Sequence, residues 1–217
     1  MPMRRQLLWL PVLLLAGCGS QADPALIRAA AGGDLETLEW LLAHRADPNQ
    51  KSPSGLTALI ICARRGSVRG VEALLQRGAD PNLRGGVNHW TPLMHAIHKN
   101  QIAAARALLE GGAQVDQRGR GGETALMMAA GYGYTPLVEL LLDHGADPRA
   151  VASDGSNVLA IALTGVPDID RFTLASCQAQ TVHLLKSRYP DLRLPDNLWA
   201  RVAQMAGGVA RWRGCSY

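Results

Sequence analysis

Three kinds of signal are missing from this chain, and each absence removes a class of function. No Gly-Xaa-Ser-Xaa-Gly elbow, phosphate loop or His-Glu-Xaa-Xaa-His occurs, so serine hydrolysis, nucleotide chemistry and zinc-dependent hydrolysis have no recognisable machinery. His95 and His98 stand three apart at helical spacing, close enough to share a metal, yet no third ligand follows at a usable spacing, so both read as surface or groove residues. Asp168 and Asp170 form an Asp-Xaa-Asp pair, but the Gly and closing Glu of a calcium loop are missing. The expectation is a protein without catalytic residues, cofactor or metal. Runs of like charge are missing too. Lys and Arg total 22 against 18 Asp and Glu, without a cluster, which argues against nucleic-acid binding. Long apolar runs are confined to Leu7 to Ala16, which is shorter than the about twenty residues that a bilayer-spanning helix needs. With 47% apolar residues, rich in Leu and Val, the chain has too much to bury for a disordered one.

What the chain has instead is repetition. Thr57-Ala58-Leu59 returns as Thr91-Pro92-Leu93 and Thr124-Ala125-Leu126, with Asn157-Val158-Leu159 a worn fourth copy. Arg45-Ala46-Asp47, Gly78-Ala79-Asp80, Gly112-Ala113-Gln114 and Gly145-Ala146-Asp147 keep the same step, as do Gly33, Gly66, Asn100 and Gly133. A period of about 33 residues means a stacked array in which one supersecondary unit is copied along an axis. Within a unit, apolar residues fall at helical spacing in two blocks, Leu59 and Ala63, then Val68, Val71, Leu74 and Leu75. Thr57, Thr91 and Thr124 stand where helix caps are expected. Pro92 suits a first helical position, and Gly78, Gly112 and Gly145 suit a helix end. The Pro, Asn, Gly and Ser that follow predict an extended turn or hairpin. His44 and His144 occupy matching places in their units and read as part of the repeat.

Two antiparallel helices and a projecting turn, opened by Thr-(Pro/Ala)-Leu and closed by Gly-Ala-Asp, resemble the ankyrin repeat. The fold implied is an all-α solenoid of helix-turn-helix units joined by β-hairpin-like turns. Residues 24–50 make a first repeat without its hairpin, with Leu35, Leu38, Leu41 and Leu42 aligned to Val68, Val71, Leu74 and Leu75. Repeats two to four run over 51–83, 84–117 and 118–150. Where the family motif has His, this chain has Ile60, Met94 and Met127, which predicts weaker hydrogen bonding between neighbouring turns. In the fifth unit Val182, Leu184 and Leu185 arrive about ten residues late, so Thr164 to Ser176 is expected to loop out between its helices. The array spans 24–188. Residues 189–217 are expected to form a helical C-terminal cap, with a break from Tyr189 to Pro195, then a helix started by Asp196 and carrying Leu198, Trp199, Val202 and Met205. Trp199 and Trp212 read as packing residues, since a solenoid must shield its last apolar face.

Residues 1–17 read as a targeting segment: Arg4 and Arg5, then Leu7 to Ala16, then Leu15-Ala16-Gly17-Cys18. That tetrapeptide resembles a bacterial lipobox, which implies cleavage before Cys18 and acylation of that residue. The rival readings are an uncleaved signal anchor and an ordinary signal peptide with an accidental Cys. Residues 18–23 are then a lipidated Cys and short linker, and the protein sits on the periplasmic face of a bacterial membrane. Gly19 stands where retained inner-membrane lipoproteins commonly have Asp, so the resemblance favours the outer membrane. Three thiols remain. Cys62 is expected to be small and buried, whereas Cys177 and Cys215 are open to pairing as a disulfide in an oxidising compartment.

The resemblance also implies where a partner binds. Ankyrin arrays meet their partners with the turn tips, here Leu56, Trp90, Glu123 and Ser156, and with the exposed ends of first helices, here Arg64, Arg65, His98, Lys99, Gly131 and Tyr132. Trp, Tyr and Arg are the residue types that dominate interface energetics, and the turn of Trp90 carries an extra residue. The expectation is a monomeric, non-enzymatic module with a protein partner, acting as adaptor or inhibitor, such as an immunity factor or a partner of an envelope enzyme. The competing expectation is a structural envelope lipoprotein without one tight partner.

Overall fold

The computed structural model describes residues 24–165 and 179–195, which hold ten helices and no extended strand. They come in pairs: α1 (Ala25–Gly32) with α2 (Leu35–Ala43), α3 (Ala58–Arg65) with α4 (Val68–Gln76), α5 (Pro92–His98) with α6 (Ile102–Glu110), α7 (Ala125–Gly131) with α8 (Thr135–Asp143), and α9 (Val158–Thr164) with α10 (Ala179–Arg188). The expected solenoid is the observed one.

The repeated Thr starts each first helix by accepting a hydrogen bond on its hydroxyl. Thr57 accepts from the Ile60 amide, Thr91 from Met94 and Thr124 from Met127, and Asn157 does the same for Ala160 with its side-chain oxygen. An orphan amide of each first turn is thereby satisfied inside the core. Pro92 is the first residue of α5. Between the two helices of a pair, the amide of the residue after the marker reaches five residues back, as in Ser67 to the Cys62 carbonyl and Gln101 to that of Ala96. That closure needs a left-handed residue. Asn100 provides it at φ 56° where the other units use Gly, because Asn tolerates this region better than other side chains.

First helices stack on first helices and second on second, with the core between the two rows. Leu59, Leu93 and Leu126 from one row meet Leu38, Leu74, Leu108, Leu137 and Leu141 from the other, all fully buried. Each such side chain contributes roughly 1.5–3 kcal/mol by leaving water. Ile60, Met94 and Met127 are fully buried as well, so the departures from the family motif fill core volume. Neighbouring turns are joined nonetheless. Lys51 Nζ donates to the Arg84 carbonyl at 3.1 Å, the Ser153 amide to that of Gly121 at 2.9 Å, and Arg118 to that of Val151.

A second ladder runs at the other end of the units and was not read from the sequence. Asn49 Nδ2 donates to the Gly78 carbonyl at 3.1 Å while its Oδ1 accepts from the Asp80 amide at 2.8 Å. Asn82 repeats both bonds one unit on, to Gly112 and Gln114, and Asp116 accepts from the Asp147 amide. Its signal was Asp-Pro-Asn at 47–49 and 80–82.

At the C-terminal end, residues 165–178 separate α9 from α10, in place of the short links elsewhere. Thr164 was expected in that loop but ends α9, with its hydroxyl donating to the Ala160 carbonyl at 3.0 Å. Val182 and Leu185 are buried, and the Thr181 and Thr135 hydroxyls meet at 3.0 Å. After α10 the chain breaks as expected and folds back. Leu192 and Leu194 are buried, Asn157 Nδ2 donates to the Arg193 carbonyl, and Arg149 pairs with Asp191 while lying over the Tyr189 ring. The lipobox with Cys18, the residues from 166 to Ser176, Cys177, the helix expected from Asp196, Trp199, Trp212 and Cys215 lie outside the described residues.

Candidate functional site

The hairpins differ at one position along the array. Three close over five residues by one bond, Ser52 amide to Leu56 carbonyl, Gly119 to Glu123 and Ala152 to Ser156, each 2.8 Å. The remaining turn closes over six, Gly85 amide to Trp90 carbonyl at 3.0 Å. Its extra residue is taken up by left-handed backbone at Gly86 and His89, and the turn presses against its neighbour. A Cβ on Gly85 would lie 2.3 Å from the Gly55 carbonyl oxygen, so no other residue fits there. The result lifts Val87 into solvent at 83% exposure.

Below this tip, Trp90 does not stand free. It is half-buried, its ring lies 5.5 Å from that of His95 and 5.3 Å from that of His98, and its Nε1 donates to Glu123 Oε1 at 2.7 Å. The His98 Nδ1 and the Tyr132 hydroxyl are 2.9 Å apart, and the Tyr132 ring stacks on Tyr134 at 5.4 Å. A ladder of rings, Trp90, His98, Tyr132 and Tyr134, therefore crosses from the third repeat to the fourth. Each contact is in the range where aromatic rings attract beyond simple burial.

Of the residues that the resemblance implied, the fold brings together Trp90, His98, Tyr132 and Glu123. Arg64 and Lys99 are exposed, and both lie close enough to His95 to oppose its protonation. Arg65 turns the other way: its Nη1 donates to the Ala31 carbonyl at 2.9 Å and its guanidinium covers Gly33. It ties the second repeat to the first. Leu56 and Ser156 are half-buried and Gly131 is buried.

His95 belongs to the core side of this ladder and is not the surface or groove residue that spacing alone gave. It shares a register position with Ile61, Met128 and Ile161, which was the available signal. Burial first, then the charge of Arg64, lowers its pKa to about 4, with the nearby Gly85 backbone acting weakly the other way. Among the described residues its Nε2, which is buried, has no hydrogen-bond partner. Cys62 is buried, and loss of solvation pushes its thiol up to about 11, which makes it a poor nucleophile. Among the described residues no three His, Cys, Asp or Glu side chains gather as a metal site would require, and no helix is long and apolar enough to cross a membrane. The arrangement offers ring surfaces and a hydroxyl beside two cations, which is chemistry for recognition.

Comparison with known proteins agrees with the fold. A family model described as ankyrin repeats matches three times, over residues 26–119, 82–154 and 112–181. Among curated proteins, an ankyrin repeat and KH domain-containing protein of Caenorhabditis elegans, mask-1, is 37% identical over 127 residues, 58% of this chain and 5% of its own length. An ankyrin repeat-containing protein of Treponema pallidum (strain Nichols) is 30% identical over 122 residues, 56% of this chain and 41% of its own. An ankyrin repeat protein of fowlpox virus (strain NVSL) is 37% identical over 62 residues, 29% of this chain and 8% of its own. The chain thus spans less than half the length of each. With the family match covering most of the array and the stacked helix pairs reproducing its architecture, this chain belongs to the ankyrin-repeat family.

Proposed function

We propose that this chain is a non-enzymatic recognition module that binds one protein partner through the face made by Trp90, His98 and Tyr132, with Arg64 and Lys99 at its edge. The observation that carries the reading is the continuous ring ladder between two repeats, flanked by the exposed cations Arg64 and Lys99, neither of which is ion-paired among the described residues. Ankyrin repeats indicate a protein-interaction module, and rings with adjacent cations are the material of interface hot spots. Rim cations favour a partner with an acidic patch. The chain acts as a monomer, tethered by lipid on Cys18 to the periplasmic face of a bacterial membrane, the outer membrane by the residue at Gly19. Adaptor and inhibitor, including an immunity factor or a regulator of an envelope enzyme, are the roles consistent with a site that has no reactive group.

The test is paired affinity capture from membranes with the wild-type chain and with a Tyr132→Ala chain of equal stability. The reading expects a stoichiometric protein retained by the first and lost by the second. Identical captured sets would move recognition off this face, and an absence of any stoichiometric protein would favour the structural role.

A further inference from the structure

The largest exposed aromatic surface among the described residues is Trp40, at 58% exposure in the last turn of α2. Nothing in the repeat explains a tryptophan there. The matching positions of the next two units are Ala73 and Ala107, partly buried against the core, and that of the fourth is the buried Leu140. In the first repeat alone the position carries a large amphipathic ring, and the ring is turned outward. It is also held in place. Its face stacks on the His44 ring at 4.0 Å, and the His44 Nδ1 lies 2.7 Å from the Trp40 carbonyl oxygen.

Its position in the fold gives the ring a direction. Only Gly33 and Asp34 link α1 to α2, so the two helices run antiparallel. The end of α2 lies beside the start of α1, at the end of the helix pair where the chain arrives from Cys18. Six residues separate Cys18 from the first helix, a reach of at most about 25 Å. A chain held by lipid at Cys18 therefore presents this end of its first repeat to the bilayer surface.

We infer that the outward stripe of α2 centred on Trp40 rests in the interfacial layer of the bilayer to which the chain is tethered, and so fixes the orientation of the array. This rests on the proposed anchoring at Cys18. Trp is the side chain that settles at the membrane–water boundary, with its apolar ring inward and its N–H among the headgroups. A short tether keeps that surface at an effective concentration in the millimolar range, so one side chain suffices where a free protein would not bind. The charges around the ring are mixed: Glu36 one turn before it, Glu39 paired with Arg69 at 3.4 Å, and Arg45 beyond the helix end. The contact is accordingly insensitive to salt and to anionic lipid.

The test uses the full lipidated chain in vesicles of phosphatidylethanolamine and phosphatidylglycerol that contain a brominated phosphatidylcholine, with tryptophan fluorescence as readout. Flotation of wild type but not of Cys18→Ser reports the anchoring. Quenching by the brominated lipid that is mostly lost in Trp40→Ala, retained in Trp90→Phe and unchanged by added salt is the expected result. The alanine copies the residue of the next two repeats, and an unchanged melting curve checks its fold. Flotation with equal quenching in wild type and Trp40→Ala, or with none in either, overturns the docking and leaves the anchoring standing. Wild-type chain that does not float overturns both.

Discussion

His95 shows how one side chain can report on the whole face. Its folded pKa, about 4, lies below the ordinary 6.5, so between those values the unfolded chain binds the proton that the folded chain refuses. Stability is then complete above about pH 6.5 and falls as pH drops toward 4, by roughly 3 kcal/mol in all. Denaturation midpoints taken from pH 7 down to 4.5 should show this decline, and His95→Ile, which copies the residues at Ile61 and Ile161, should remove most of it. Equal slopes in the two chains would place the titrating group elsewhere. Trp90 carries a related lesson. The resemblance places it at a turn tip where partners bind, and the structure gives its N–H to Glu123 and leaves it half-buried against its neighbours. Trp90→Ala should therefore cost about 2 kcal/mol of stability, so a loss of binding in that variant has to be corrected for a loss of fold. The pairing was hidden because Glu123 is 33 residues away, and only the repeat register could have placed it beside Trp90.

At the scale of the helix and turn, most of the architecture was legible. Thr caps, the Pro92 start, left-handed closing residues and the periodic leucines are local signals, and each does in the structure what its chemistry requires. The Asn ladder was not legible in the same way, because its bonds run from an Asn side chain to backbone groups one repeat on. Asn82→Ala should break two of them and cost about 1 kcal/mol, read as a lower urea midpoint with an unchanged slope. A midpoint equal to wild type would mean that water replaces the bonds without loss. The core sets a larger scale. Leu108→Ala, in a fully buried second-helix position, should cost about 2–5 kcal/mol, and Arg106→Ala on the exposed side of the same helix should stay within ~0.5 kcal/mol. Similar midpoints for these two variants would contradict the packing described for α6.

Across the whole molecule, regularity decides what could be foreseen. Where the period holds, from Ala25 to Thr164, register alone placed helices, caps and turns. Where it breaks, after α9, the sequence could give only the delay of Val182 and Leu185, and neither the return of Leu192 and Leu194 to the core nor the bond from Asn157 to the Arg193 carbonyl. Contacts in a solenoid link each unit to its neighbours, so the face between the third and fourth repeats can change without disturbing either end. The face between the repeats was legible only in part. Trp90, His98 and Tyr132 were placed on one face by the register, while Arg65 was lost to an inter-repeat bond and Tyr134 was overlooked because it follows the first helix. The central claim, that this face recognises a protein partner, is tested most directly by calorimetric titration of the captured partner with wild type and with one triple variant, Tyr132→Ala with Arg64→Ser and Lys99→Ser. The account predicts an affinity lower by at least tenfold, about 1.4 kcal/mol, with the array still folded by its helical signal, and equal affinity of the two chains would contradict it.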